Sequence, residues 1–459
     1  MNTSISPLFA KAGTPRLALN YEPSVSGGLS RVGGFEPFDG QPAPSAAAYQ
    51  LLDCPAGVNS TYAIVGATLT GATSTATGTI IYVTATQVAV TKVTGTFALE
   101  TVKVGVNNVG VVTNLTPTVD GFLDNTLTKS AADVYQSLIG QVPGSGQVRG
   151  LMIYKDLVYA WRNNVGGTAL AIYKSSSSGW VNVPLYYTVS FTLGTGIYAD
   201  GGTLTQGAVS AVIKRVVLES GAWGSNAAGR MIIAAPTGGT THFAAGVAAG
   251  SGACTLSGVE AALTLSPLSG TQRVRLDKFN FTGLANNKRL YGCDGVNPEF
   301  EFDGDIYVPI TTGMSPRRAS CVRVHKFQLF YSYEGSLQHS ATGLPYQWSA
   351  VVGAGELGTG DTITNLVSIG GNQSGSALMV LCSNSLFVLY GDNSGNWNLV
   401  PLSRISGAQA DSAQDIGGVT AFDTPGVVRY PTTQAFGNFL WDRTSLEIDS
   451  FVKGKTVQC

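Results

Sequence analysis

The chain has 459 residues, which at the usual ~150 per domain amounts to about three domains and leaves ample length for a buried core. Its 27 Lys and Arg face 28 Asp and Glu, a formal charge of -1, and charged residues make up 12% of the chain, about half the ~25% of an ordinary soluble protein. Charges so sparse and balanced argue against a nucleic-acid binder, which needs a basic field to displace phosphate counterions, and against a polybasic membrane-surface protein.

Glycine, at 58 residues, stands well above its ~7% norm, and with abundant Ala, Ser, Thr and Val and only 3 His it reads as strands and turns. Hydrophobic residues at 44% with few ions to cover the outside imply that much surface is buried against other subunits. The cysteines, Cys54, Cys254, Cys293, Cys321, Cys382 and Cys459, have no metal-ligand spacing, and their scatter fits a reduced compartment at synthesis. The start, MNTSISPLFAKAGTPRLALN, lacks the basic residues and apolar run of a signal peptide. No stretch reaches the ~18 uninterrupted apolar residues of a membrane helix.

In chain order, residues 1–55 are rich in Pro and Gly and read as an extended arm, packed on its own domain or on a neighbour. Residues 56–119 alternate apolar with Thr, Ser and Gly, the pattern of a small inserted β domain. Residues 120–185 start a larger body. Within them Ser130-Ala-Ala-Asp133, followed by Val134, Tyr135, Leu138 and Ile139, predicts a capping-box-like start to a short helix, ended by Gly140 and Pro143. Residues 186–270 repeat the flavour of the first insert and read as a second inserted β domain, and residues 271–459 continue the body.

One pattern recurs: an apolar-aromatic strand, a polar or Gly-rich turn, and a second strand ending in an aromatic and a valine. It starts at Leu157, Arg289, Gln328 and Ser385, with a degenerate copy at Ala435. Once the second insert is removed from the first interval, the period is roughly 40–50 residues, as in β-propeller blades. The predicted fold is all-β, a β-propeller-like body of antiparallel blades with two inserted β domains; an all-β solenoid is the competing architecture. Trp161, Trp180, Trp348, Trp397 and Trp441 are expected to pack between blades.

Motifs that carry chemistry are few. Glu299, Glu301 and Asp303 alternate along one strand, so neighbouring carboxylates would lie ~7 Å apart, a spacing that an inverting glycosidase can use. The bland alternative is a hairpin turning at Asp303-Gly304, with Phe300 and Phe302 in the core and the acids on the wet face. His242, His325 and His339 share no motif spacing, and so support neither a metal site nor a triad. The run Gly144–Gly150 fails the dinucleotide fingerprint by spacing, and Gly454-Lys455-Thr456 fails the phosphate-loop pattern. Asp392-Asn-Ser-Gly-Asn396 is a turn rather than a calcium loop. The sequence therefore predicts no catalytic residue, no metal and no cofactor.

Two runs, RVGGFEPFDGQPAPS at Arg31–Ser45 and VPGSGQVRGLMIYKDLVYAWRN at Val142–Asn163, resemble segments of the tail nozzle or tail-hub proteins of short-tailed bacteriophages, also called tail tubular protein B or tail-stabilisation proteins. GNFLW and SLFVLYGD resemble them more weakly, and the two inserts do not match. The resemblance implies a virion protein, assembled in the bacterial cytoplasm, whose propeller-like body forms a homohexameric ring below the head-to-tail adaptor. Such a ring encloses the DNA exit channel and supports tail fibres or spikes. On this expectation Arg31, Phe35, Phe38, Asp39, Pro143 and Arg149 contact neighbouring subunits or the adaptor. The rival functions are a tail-associated glycan hydrolase using Glu299 and Glu301, and a carbohydrate-binding propeller.

Overall fold

The computed structural model describes residues 21–23, 29–31, 38–40, 47–136, 139–239, 242–314, 317–369, 376–416, 418–424, 426–430 and 442–443. They are nearly all β, in antiparallel sheets, with one α-helix, as the composition led one to expect. The chain forms two compact units, one of residues 33–143 and 175–181, the other of residues 1–32, 144–174 and 182–459.

Five four-stranded sheets follow one another along the chain, and in each the strands pair in sequence order. The first comprises Ser145–Tyr154, Leu157–Asn163, Leu170–Ser176 and Gly179–Asn182; the second Arg275–Phe279, Arg289–Cys293, Phe300–Phe302 and Tyr307–Pro309. The third comprises Cys321–His325, Gln328–Tyr333, Ser336–His339 and Gly355–Gly358, and the fourth Ile363–Ile369, Ala377–Cys382, Leu386–Tyr390 and Asn398–Ser403. Gln414–Asp415, Val419–Asp423, Gly426–Tyr430 and Asp442–Arg443 form the fifth. The sequence repeat caught the last three strands of the first and second sheets, the middle two of the third and the last two of the fourth, and missed the first strand of each. Its degenerate copy at Ala435 lies largely outside the described residues.

Successive sheets stack through shared cores. Ala377–Cys382 is buried along its whole length, because pleating sends Leu378, Val380 and Cys382 towards Phe330 and Leu337 of the third sheet. Met379 and Leu381 go the other way, to Val419, Ala421 and Val428 of the fifth. Trp161 meets Phe300 and Phe302 between the first and second sheets, and Trp348 stacks on Tyr331. From the second sheet to the fifth, the first strands lie side by side in succession. A strand buried on both faces carries an unbroken apolar run, which is why SALMVLC and FQLFYSY look unlike the alternating inserts.

Each of these two modules is built on six strands, and in the second the two-residue strand Ala261–Ala262 pairs with the first strand as a seventh. The first comprises Tyr49–Asp53, Thr68–Gly71, Thr77–Val83, Gln87–Thr94, Thr101–Val104 and Asn107–Val111, and its two edges are joined by a bridge from Asp53 to Asn114. The second comprises Tyr187–Gly194, Thr203–Gln206, Val209–Ser220, Ala227–Ile233, Gly246–Ala249 and Ala253–Leu256. Its first and fourth strands also pair, which closes a barrel around Phe191, Leu204, Met231 and Phe243.

The helix spans Gly121–Gln136 and so starts earlier than the Ser130 signal. Its N-cap is Asp120, whose Oδ1 accepts from the Leu123 amide at 2.8 Å, while Ser130 lies mid-helix with its hydroxyl on the Thr126 carbonyl. Leu123, Leu127, Ala131 and Val134 form the stripe that settles the boundary, since burying it on the first module outweighs the poor helix propensity of Thr126 and Thr128. No helix among the described residues is long and apolar enough to cross a membrane.

Candidate functional site

The acidic strand is the chemical centre of the sequence reading, and the structure gives both of its faces buried surroundings. Phe300 and Phe302 pack towards the first sheet. Glu299 and Glu301 are only 1% and 4% exposed, which corrects the wet-face expectation: the acids point between elements rather than into water. Asp303 and Gly304 do form the turn, with Gly304 at φ +106° and the Asp303 carboxylate accepting from the amides of Asp305 and Ile306.

Two arginines clamp these acids. Arg215, from the third strand of the second six-stranded module, places Nη1 2.6 Å from Glu301 and Nη2 2.6 Å from Asp303, and its Nε lies 2.8 Å from Asp200. Arg289, on the neighbouring strand of the second sheet, donates to Asp303 at 2.8 Å. The Tyr291 hydroxyl donates to Glu301 at 3.0 Å. Burial pushes the Asp303 carboxyl up, but the two turn amides and both guanidiniums outweigh it and hold it below the usual carboxylate range. Glu299 differs: burial pushes its carboxyl up, and its Oε1 accepts from the Ala319 amide at 2.6 Å. Glu301 and Asp303 are thus engaged by opposite charges, Arg215 on both and Arg289 on Asp303, rather than left free as an acid and a base.

This clamp joins residues 86 apart in sequence, Arg215 to Glu301. The one available signal was the Lys214-Arg215 pair inside the β-branched run VSAVIKRVVLES, a cation where the pattern calls for a hydrophobe.

The remaining chemical candidates each have a structural partner. His325 and His339 lie buried around Trp397 and Phe330, and burial pushes both imidazoles below their ordinary value. His242 stands 2.7 Å from Glu260. In the Asp392–Asn396 loop, the Asn396 side chain accepts from the amides of Asp392 and Asn393, so the loop closes on itself. Among the described residues no group of three or more His, Cys, Asp or Glu is placed to hold a metal ion. Gly454-Lys455-Thr456, Cys459 and Trp441 lie outside the described residues.

The expected interface residues fall in separate places. Arg31 ends the strand Leu29–Arg31, paired with Tyr21, and Phe35 lies outside the described residues. Phe38, 36% exposed, sets its ring edge-on to Trp180 at 5.5 Å, and Asp39 is buried. Beside them Gly40 has φ +89° and its carbonyl accepts from the Ser176 amide; a Cβ there would sit 2.8 Å from the Gly179 backbone, so only glycine fits. Pro143 is exposed. Arg149 donates to the Gly270 carbonyl at 2.7 Å, fastening the first strand of the first sheet to the loop before the second.

That first strand shows an apolar surface which the sequence reading passed over. Leu151 and Ile153 are 62% and 65% exposed on the face opposite Tyr154 and Trp161. No protein-family model matches the chain, and a search of curated proteins finds none similar to it.

Proposed function

We propose that the protein is a structural component of a bacteriophage tail, a nozzle or hub subunit that assembles as a ring around the DNA exit channel. The observation that carries this reading is the run of five four-stranded sheets, paired in chain order and stacked face to face through shared apolar cores. Such a stack is how propeller blades bury both faces, and it accords with the likeness of Arg31–Ser45 and Val142–Asn163 to nozzle proteins. Leu151 and Ile153 give the edge strand of the first sheet two exposed apolar residues for a neighbouring subunit, and charges at 12% of the chain suit flanks buried in a ring. A near-neutral lumen lets DNA slide without holding it. The adaptor above and fibres or spikes at the side are the partners this place in a virion requires.

The arginine clamp on Glu301 and Asp303 weighs against the hydrolase reading. The test is the mass of the purified protein at low and high concentration, with negative-stain images of the same sample. Rings of about six copies with a central hole are the expected result. A monomer at every concentration, alone and with adaptor rings added, overturns the proposal.

A further inference from the structure

The two six-stranded modules are alike beyond their β content. Numbered along each module, both sheets run in the order 1-4-3-2-5-6; in the second the first strand pairs with the sixth, and in the first it bridges to Asn114, just past the sixth. Both enter their second strand through a left-handed glycine, Gly66 at φ +92° and Gly201 at φ +85°, followed by Thr68-Leu69-Thr70 and Thr203-Leu204-Thr205. The hydrogen bonds correspond. Gly66 donates to the Ile80 carbonyl and Ile80 to that of Ala67; Gly201 donates to Ile213 and Ile213 to Gly202. Leu69 and Leu204 are fully buried, as are Phe97 and Phe243 ahead of the fifth strand. Even the β-bulge is shared, falling between Ile80 and Tyr82 in one and between Ile213 and Arg215 in the other.

That register makes Tyr82 the counterpart of Arg215, each opposite an outward-facing residue of the fourth strand, Ala89 and Ile232. In the first module Ala89, Leu51 and Ile81 are covered by Leu127 and Ala131 of the helix, with Tyr82 packed beside them. In the second, Ile232 and Val217 are covered by Val308 of the second four-stranded sheet, while Arg215 reaches Glu301 and Asp303. Arg230 extends this contact by donating to the Pro309 carbonyl at 2.7 Å.

We propose that the two modules dock through one and the same outer face, and that the residue after the shared bulge selects the partner. Tyrosine at that position fits an amphipathic helix, and arginine fits an acidic strand. A bulge suits this role because it re-aims one side chain without disturbing the core ladder on the other face. The proposal concerns contacts within each unit and stands whether or not the chain forms a ring.

Hydrogen exchange of the full chain tests it, with Tyr82→Arg and Arg215→Tyr as separate variants. Tyr82→Arg is expected to speed exchange of amides 121–136 at least ~10-fold while amides 88–90 keep their protection. Arg215→Tyr is expected to speed amides 300–309 equally and leave 231–233 protected. Should Arg215→Tyr fail to fold, Glu301→Gln combined with Asp303→Asn leaves the module untouched and is expected to free the same contact. Unchanged exchange of the helix in Tyr82→Arg, or of 300–309 in both second-module variants, overturns the proposal. Loss of protection throughout the second module in Glu301→Gln combined with Asp303→Asn, as opposed to at its docking face alone, overturns it as well.

Discussion

Arg215 holds the buried acids Glu301 and Asp303, and its removal takes from Glu301 its closest counter-charge, 2.6 Å away, leaving Arg289 at 3.8 Å. Breaking such a buried pair costs about 3–5 kcal/mol, so Arg215→Met is expected to lower the unfolding free energy of the unit by that amount, read as a lower denaturant midpoint at unchanged slope. Two other residues contribute to the response to acid. Glu100 accepts from the amides of Ser74 and Ala98 and from the Ser74 hydroxyl; these bonds outweigh burial and hold its carboxyl at about 2, against an ordinary 4.5. A lowered folded value stabilises above the ordinary value and loses that contribution as pH falls towards 2. His325 is held at about 4 against 6.5, first by burial and then by Lys326 and Arg323. Neutral His325 therefore stabilises fully above pH 6.5, and the benefit drains away towards pH 4. Thermal melts are expected to fall in two stages: Glu100→Gln lowers stability at neutral pH and flattens the lower stage, and His325→Phe flattens the upper.

Among the elements, the helix shows how local signals and packing compete. Ser130-Ala-Ala-Asp133 looks like a start, yet Asp120 is the cap and the helix runs through two threonines to reach it. Asp120→Ala is expected to cost about 0.5–2 kcal/mol, read as weakened helix protection in hydrogen exchange. The sheets were more legible. Trp161 was expected between blades and stands against Phe300 and Phe302; Trp161→Ala, which leaves a cavity there, is expected to cost about 3–5 kcal/mol. The acidic strand was legible as a strand and a turn but not as buried, because period-2 alternation fixes which residues share a face and says nothing of what covers that face.

For the whole molecule, the exposed apolar residues on the edge strand of the first sheet bear on assembly. Leu151 and Ile153 alternate as buried residues do in the middle sheets, yet stand in water. Placing charges there, as Leu151→Asp with Ile153→Asp, is expected to weaken self-association at least ~10-fold in sedimentation while leaving the melting profile unchanged. An unaltered association constant would show that subunits meet elsewhere.

The sequence by itself determined the all-β character, most of the repeated strand pairs and the packing of Trp161 against its neighbours, since alternation, turn residues and apolar runs are properties of neighbours along the chain. Tertiary structure alone decided that Arg215 would meet Glu301 and Asp303 and that Asp120 would begin the helix. It also decided that modules with almost no visible sequence likeness would share one strand order and one bulge. The physical reason is common to all three: each depends on which distant surface covers a face, and burial, which sets the energy of a charge, a cap or a bulge, is fixed only once both surfaces are in place.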